Sequence, residues 1–125
     1  VIDAAREVNK DIIIFYHSCG YIEPFIPHLI EVGVDVLNPV QPECMDVKEI
    51  IRKYGDKIAF FGGIGTQTLM PFGTPEEIRN YVFDLLDFVG DKGGFLIAPT
   101  HILEPEVPPE NIIAYIDACR DYKHL

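Results

Sequence analysis

Basic side chains are scarce in this chain. Ten Lys and Arg stand against twenty Asp and Glu, the formal net charge is −10, and the basic residues are scattered along the chain. Nucleic acid and anionic membrane surfaces are therefore not expected as partners. Long apolar runs are missing as well. No stretch approaches the roughly 18 unbroken apolar residues that suggest a membrane span, and no segment has the pattern of a signal peptide. Cysteine is limited to three residues, an odd number without scaffold spacing. That suits a reducing compartment and makes the cytoplasm the expected location. No GxGxxG or P-loop pattern is present, so no phosphate-binding turn follows the first strand. What remains is a 125-residue chain, 48% hydrophobic and 24% charged, long enough for one domain with its own core.

Residues 1–8 have helical apolar spacing at positions 1, 2, 5 and 8, with nothing in front to cap them. The expectation is a helix entered partway, and hence a piece of a longer protein. A repeating pattern of strand, turn and helix follows. Strand 12–16 precedes helix 22–32, whose Ile22, Phe25, Ile26, Leu29 and Ile30 fall on one face. Pro24 suits its first turn, Pro27 makes it irregular and Gly33 ends it. Strand 34–38 leads to helix 46–54. Strand 57–61 runs into Gly62-Gly63-Ile64-Gly65, and a later helix opens at Thr74-Pro75-Glu76-Glu77, a capping box with proline at its first position. Ile78, Val82, Leu85, Leu86 and Val89 form its stripe, and Gly90 closes it. Strand 94–98 precedes a last helix opening near Pro108-Pro109, with Ile112, Ile113, Ile116 and Cys119 expected inward.

Short apolar strands separated by helices imply an α/β fold with a parallel sheet. Glycines and polar residues follow every strand, as expected if all the loops build one rim. That favours a (β/α)8 TIM barrel over a doubly wound sheet. A whole barrel needs roughly 250 residues, so four βα units make half of one. The expected domain is 1–125, a single partial domain forming the C-terminal half of a barrel.

The strand ends carry the chemistry. Side chains two apart on an extended backbone point the same way, so His17 and Cys19 can aim an imidazole nitrogen and a thiolate at one point. The run ending at Ala98 is followed by Pro99-Thr100-His101, and His101 offers a third ligand. Two His and one Cys leave a zinc ion with an open fourth position, the arrangement of a catalytic site. Such an ion keeps a net charge near +1 and would deprotonate a thiol entering that position. Glu43 and Cys44, after the second strand, are candidate fourth ligands or acid–base partners. Gln41, Gln67 and Gly63 are candidate substrate contacts, Gly63 because its bare backbone permits close approach to a ligand or to a neighbouring strand. Without metal, His101 would serve in substrate binding or proton transfer. Tyr16 and Asn38 read as packing or rim residues, Cys119 as core, and His28 and His124 as solvated.

Four segments resemble the uroporphyrinogen decarboxylase superfamily, which includes cobalamin-dependent zinc methyltransferases. They are Phe15-Tyr-His17-Ser-Cys19-Gly20, then Val36-Leu-Asn38-Pro-Val-Gln41-Pro. The third runs Phe61-Gly-Gly-Ile-Gly65-Thr-Gln67 and on through Leu69-Met-Pro71-Phe-Gly73-Thr-Pro-Glu-Glu77. The fourth is Ala98-Pro-Thr-His101 with Pro108-Pro-Glu-Asn111. The resemblance covers nearly the whole chain in the order of the family's C-terminal half. In the methyltransferase branch, His-x-Cys after one strand and a cysteine after the last hold a zinc that activates a thiol to accept a methyl group from a corrinoid. The decarboxylases use no metal and carry a histidine after their last strand. His17 and Cys19 match the first branch, while His101 stands where that branch has cysteine and the decarboxylases have histidine. Gly65 stands where many relatives have Asp.

Three functions follow as expectations. The first is zinc-dependent methyl transfer to a small-molecule thiol, with a corrinoid, or a corrinoid protein, as donor. The second is metal-free decarboxylation of uroporphyrinogen in porphyrin biosynthesis. The third is a non-catalytic half-barrel. A four-stranded unit leaves two open sheet edges and an unclosed apolar face, so it would form a homo-oligomer if stable alone.

Overall fold

A computed structural model describes residues 1–122; His124 lies outside the described residues. Helix α1 (Ile2–Val8) starts without a side-chain cap and leads to strand β1 (Phe15–His17). A 3₁₀ turn at Glu23–Phe25 runs into helix α2 (Ile26–Glu31), followed by β2 (Val36–Asn38) and α3 (Val47–Tyr54). Then come β3 (Ala59–Ile64), the short α4 (Leu69–Phe72), α5 (Pro75–Val89), β4 (Phe95–Pro99) and α6 (Pro109–Asp121). No described helix is long and apolar enough to cross a membrane.

The four strands are all parallel and lie in chain order, β1-β2-β3-β4. Right-handed crossovers between successive parallel strands carry their helices to one face of the sheet. Strand order without a reversal is barrel winding, since a doubly wound sheet turns back at its switch point. The chain is thus half of a (β/α)8 barrel. One transverse row, Tyr16–Leu37–Phe60–Phe95, faces the helices, and Leu37 and Phe60 are wholly buried there with Ile26, Ile50 and Leu85. The other face carries Phe15, His17, Phe61 and Leu96. Phe15 and Phe61 meet edge to face at 5.6 Å, yet Phe15 and Leu96 remain half exposed.

Several boundaries differ from the sequence expectation, each for a physical reason. The expected helix 22–32 splits because Pro24 and Pro27 each lack a backbone donor. β1 is shorter than 12–16 because it is an edge strand; Ile12 and Ile13 lie exposed outside the ladder. β3 runs three residues further than 57–61, since Gly62 and Gly63 pair with Ile97 and Ala98 instead of turning. In α6 the buried face is Asn111 and Ala118, with Tyr115 between them in sequence. Ile113 and Ile116, expected inward, are exposed, whereas Ile112 and Cys119 are partly buried.

Candidate active site at the strand ends

His17 ends β1 in register with Asn38 of β2. Asn38 holds that end of β1 twice. Its carbonyl accepts the Ser18 N–H at 2.8 Å, and its side-chain Oδ1 lies 2.5 Å from His17 Nδ1. The amide nitrogen of Asn38 donates to the Phe61 carbonyl on β3 at 2.9 Å, so the side chain spans the row between β1 and β3. On the far side of the imidazole, Nε2 lies 3.4 Å from Cys19 Sγ. Cys19 lies two residues past the end of β1, yet its sulfur and the imidazole nitrogen do come together, as their spacing suggested.

His101 follows β4 across the mouth of the sheet. Its ring centroid is 6.4 Å from that of His17, with the planes at 61°. All three side chains are exposed, so the point they face is open to solvent. Bond lengths of a tetrahedral zinc place a bound imidazole nitrogen and thiolate about 3.5 Å apart, and two bound imidazole centroids about 5 Å apart. The His17–Cys19 pair therefore fits a common ion. His101 approaches it but stands about 1 Å wide of closure, and no three His, Cys, Asp or Glu among the described residues close on a metal-holding point.

The second and third loops are tied through Glu43. Its Oε1 accepts the Gln67 N–H at 3.0 Å and the Thr68 hydroxyl at 3.2 Å. Its Oε2 is buried without a hydrogen-bond partner among the described residues. Cys44, beside it, is exposed. Gln41 is buried, and its side-chain oxygen accepts the Gly20 N–H at 3.1 Å, bracing the turn beyond Cys19 from within the protein. At Gly63 a side chain would meet Phe95 at 2.9 Å and Leu85 at 3.1 Å, so here the bare backbone makes room for neighbouring side chains. Gly63 also accepts a hydrogen bond from Tyr81, whose phenol is pushed up to about 12, chiefly by burial and then by Glu43.

Gln67 stands exposed and shares a cleft of about 360 Å³ with His101, Thr66, Phe72, Glu104 and Glu106. No Lys or Arg among the described residues lines this cleft. Thr66 and Thr100 pair their hydroxyls at 3.2 Å beneath it. The two glutamates drew no attention in the sequence because they lie in the irregular stretch between β4 and α6, where no periodicity marks them. Asn38 had a signal that went unused: it is a polar residue at the end of an otherwise apolar strand. His28 is exposed on α2, as expected, and burial raises the Cys119 thiol.

The family model described as Uroporphyrinogen decarboxylase (URO-D) matches residues 1–122. Uroporphyrinogen decarboxylase of Pseudoalteromonas translucida is 32% identical over 78 residues, 62% of this chain and 22% of that protein. Methylated-thiol–coenzyme M methyltransferase of Methanosarcina mazei is 26% identical over 127 residues, 97% of this chain and 32% of that protein. Among solved structures, a methyltransferase from Methanosarcina mazei superposes with a TM-score of 0.70 at 21% identity, covering 89% of this chain and 32% of its own. The chain thus spans a third or less of the length of these relatives.

Proposed function

Because the chain belongs to the uroporphyrinogen decarboxylase family, we propose that it carries the metal-holding part of a methyl-transfer site, with a small thiol as acceptor and a corrinoid-type compound as donor. The observation that carries this reading is the 3.4 Å approach of His17 Nε2 to Cys19 Sγ, with the imidazole held from behind by Asn38. His17, Cys19 and His101 would hold zinc. When bound, that ion supplies the Lewis acidity that lowers the pKa of a thiol at its open position. In such a site His17 would supply a neutral imidazole and Cys19 the single negative charge. Gln67 and His101 border a cleft that would receive an acceptor. Glu43 keeps the loop bearing Gln67 in place.

A second reading is metal-free decarboxylation of uroporphyrinogen, favoured by the 32% identity to a decarboxylase. The cleft beside His101 speaks against it. A substrate bearing several carboxylates needs cationic partners, whereas this cleft offers Glu104 and Glu106.

Metal analysis of the intact protein beside His17→Ala and Cys19→Ser separates the two readings. About one zinc per chain in the wild type and a large loss in both variants is expected. Near-zero metal in all three, together with chelator-resistant loss of carboxyl groups from uroporphyrinogen, would establish the second reading instead.

A further inference from the structure

We infer that Asn38 is a positioning residue that sets the tautomer of His17, holding the proton on Nδ1 and leaving the Nε2 lone pair facing Cys19. The Phe61 carbonyl can only accept, so the Asn38 side-chain atom 2.9 Å from it must be the NH₂ group. That leaves Asn38 Oδ1 as the atom 2.5 Å from His17 Nδ1. An amide oxygen can only accept, so Nδ1 must carry a proton. In a neutral imidazole the other nitrogen then has none. Nε2 is the nitrogen 3.4 Å from Cys19 Sγ. One carbonyl in the third strand thereby dictates, through a single side chain, which ring nitrogen in the first strand is free to bind a ligand.

The arrangement is rigid where it needs to be. Asn38 is buried, its own carbonyl is engaged by Ser18 N–H, and both ends of its side-chain amide are used. Reversing the amide would set its oxygen against the Phe61 carbonyl, a repulsive contact that the observed orientation avoids. His17 is exposed at its other edge, where its neighbours are the Cys19 sulfur and the His101 ring. An amide orients the ring without adding charge, whereas a carboxylate in the same place would also raise the basicity of the ligand. The tautomer stands independently of any metal. Its consequence for zinc rests on the reading proposed above.

The test uses the intact, metal-free protein labelled with ¹⁵N at histidine, held near pH 8.5, above the ordinary imidazole range. The ¹⁵N shifts and long-range couplings distinguish the tautomers, and His17→Gln identifies the signal. The wild type is expected to show Nδ1–H. Asn38→Leu, which removes the acceptor, is expected to move His17 to the Nε2–H form and to weaken zinc binding about 10–100-fold in competition with a chromophoric chelator. Asn38→Asp keeps an acceptor and is expected to retain Nδ1–H. An Nε2–H signal in the wild type, or an unchanged Nδ1–H signal in folded Asn38→Leu, overturns the inference. If Asn38→Leu does not fold, the wild type and Asn38→Asp still decide, because an Nε2–H signal in either contradicts it. Nδ1–H in a protein that binds no zinc would sink the zinc reading and leave this inference standing. Zinc binding by a protein whose free form is Nε2–H would do the reverse.

Discussion

The carboxylate of Glu43 occupies the space that a side chain at Gly65 would need: a Cβ built there lies 2.5 Å from Glu43 Oε1. The same oxygen accepts from Gln67 N–H and Thr68 Oγ1, so the glycine allows the carboxylate to reach the loop it holds. Gly65→Ala should destabilise the protein by about 1–3 kcal/mol through this overlap. In a Glu43→Ala background the cost should shrink by roughly 1 kcal/mol, because the obstructing oxygens are gone. Urea denaturation of the four-member cycle measures this coupling, and strictly additive effects would show that the two residues do not compete for space.

Asn111 ties α6 to the segment around α4. Wholly buried, it donates from one nitrogen to the carbonyls of Met70 at 2.9 Å and Gly73 at 2.8 Å. Asn111→Leu should cost about 2–3 kcal/mol, since it leaves buried carbonyls without a donor. Asn111→Asp should cost more, because it sets a carboxylate against two carbonyls. The denaturation midpoints should fall in that order; equal midpoints for wild type and Asn111→Leu would remove the tie from the account.

Tyr81 gives the fold an alkaline limit. Its hydroxyl donates to Gly63 at 3.0 Å. Burial, helped by Glu43, Asp84 and Asp46, raises its pKa from the ordinary 10.0 to about 12. The folded chain therefore keeps this proton in a range where the unfolded chain has released it. The associated stability is fully present below about pH 10 and is lost as pH rises towards about 12. Tyr81→Phe should cost about 1 kcal/mol at neutral pH and make the decline across that window less steep. Tyr115, also raised by burial, would account for part of what remains. An unaltered slope in Tyr81→Phe would exclude Tyr81 as a source of the decline.

Much of this architecture is legible in the chain because glycines and apolar stripes report local geometry. The capping box at Thr74 and Glu77 forms as read, and the helix runs to Val89 before Gly90. Asn38 is different. Its role depends on the register of β1 against β2, which pairs it with a residue 21 positions away. No periodicity within either strand encodes that. The third strand outruns its expected end for a related reason: Gly62 and Gly63 break its apolar run, yet both pair with β4. The inward assignment of Ile113 and Ile116 assumed that apolar means covered, but α6 buries its 111–115–118 side and leaves these two exposed. His17 and Cys19 are readable in advance because they lie two residues apart where β1 ends, although Cys19 itself stands beyond the strand. The closeness of His101 needs the whole sheet.

His101 is the proposed ligand whose assignment decides what kind of site this is. Its ring stands 6.4 Å from that of His17, near enough to join a shared ion after a shift of about 1 Å, and it also lines the cleft with Gln67. As a ligand, its loss should exceed the effect of an outer-shell change: His101→Ala should weaken zinc binding by at least about 100-fold. His101→Cys supplies a thiolate in place of an imidazole and should restore affinity to within about tenfold, with a less electrophilic metal. Cobalt(II) substitution makes the ligand set visible. The near-ultraviolet thiolate-to-cobalt band reflects Cys19 alone in the wild type and should roughly double in His101→Cys. A band unchanged in both variants, with wild-type zinc affinity, would place His101 outside the ligand set. It would then serve in the cleft, where its imidazole stands beside Gln67, Glu104 and Glu106 to bind an acceptor or transfer a proton.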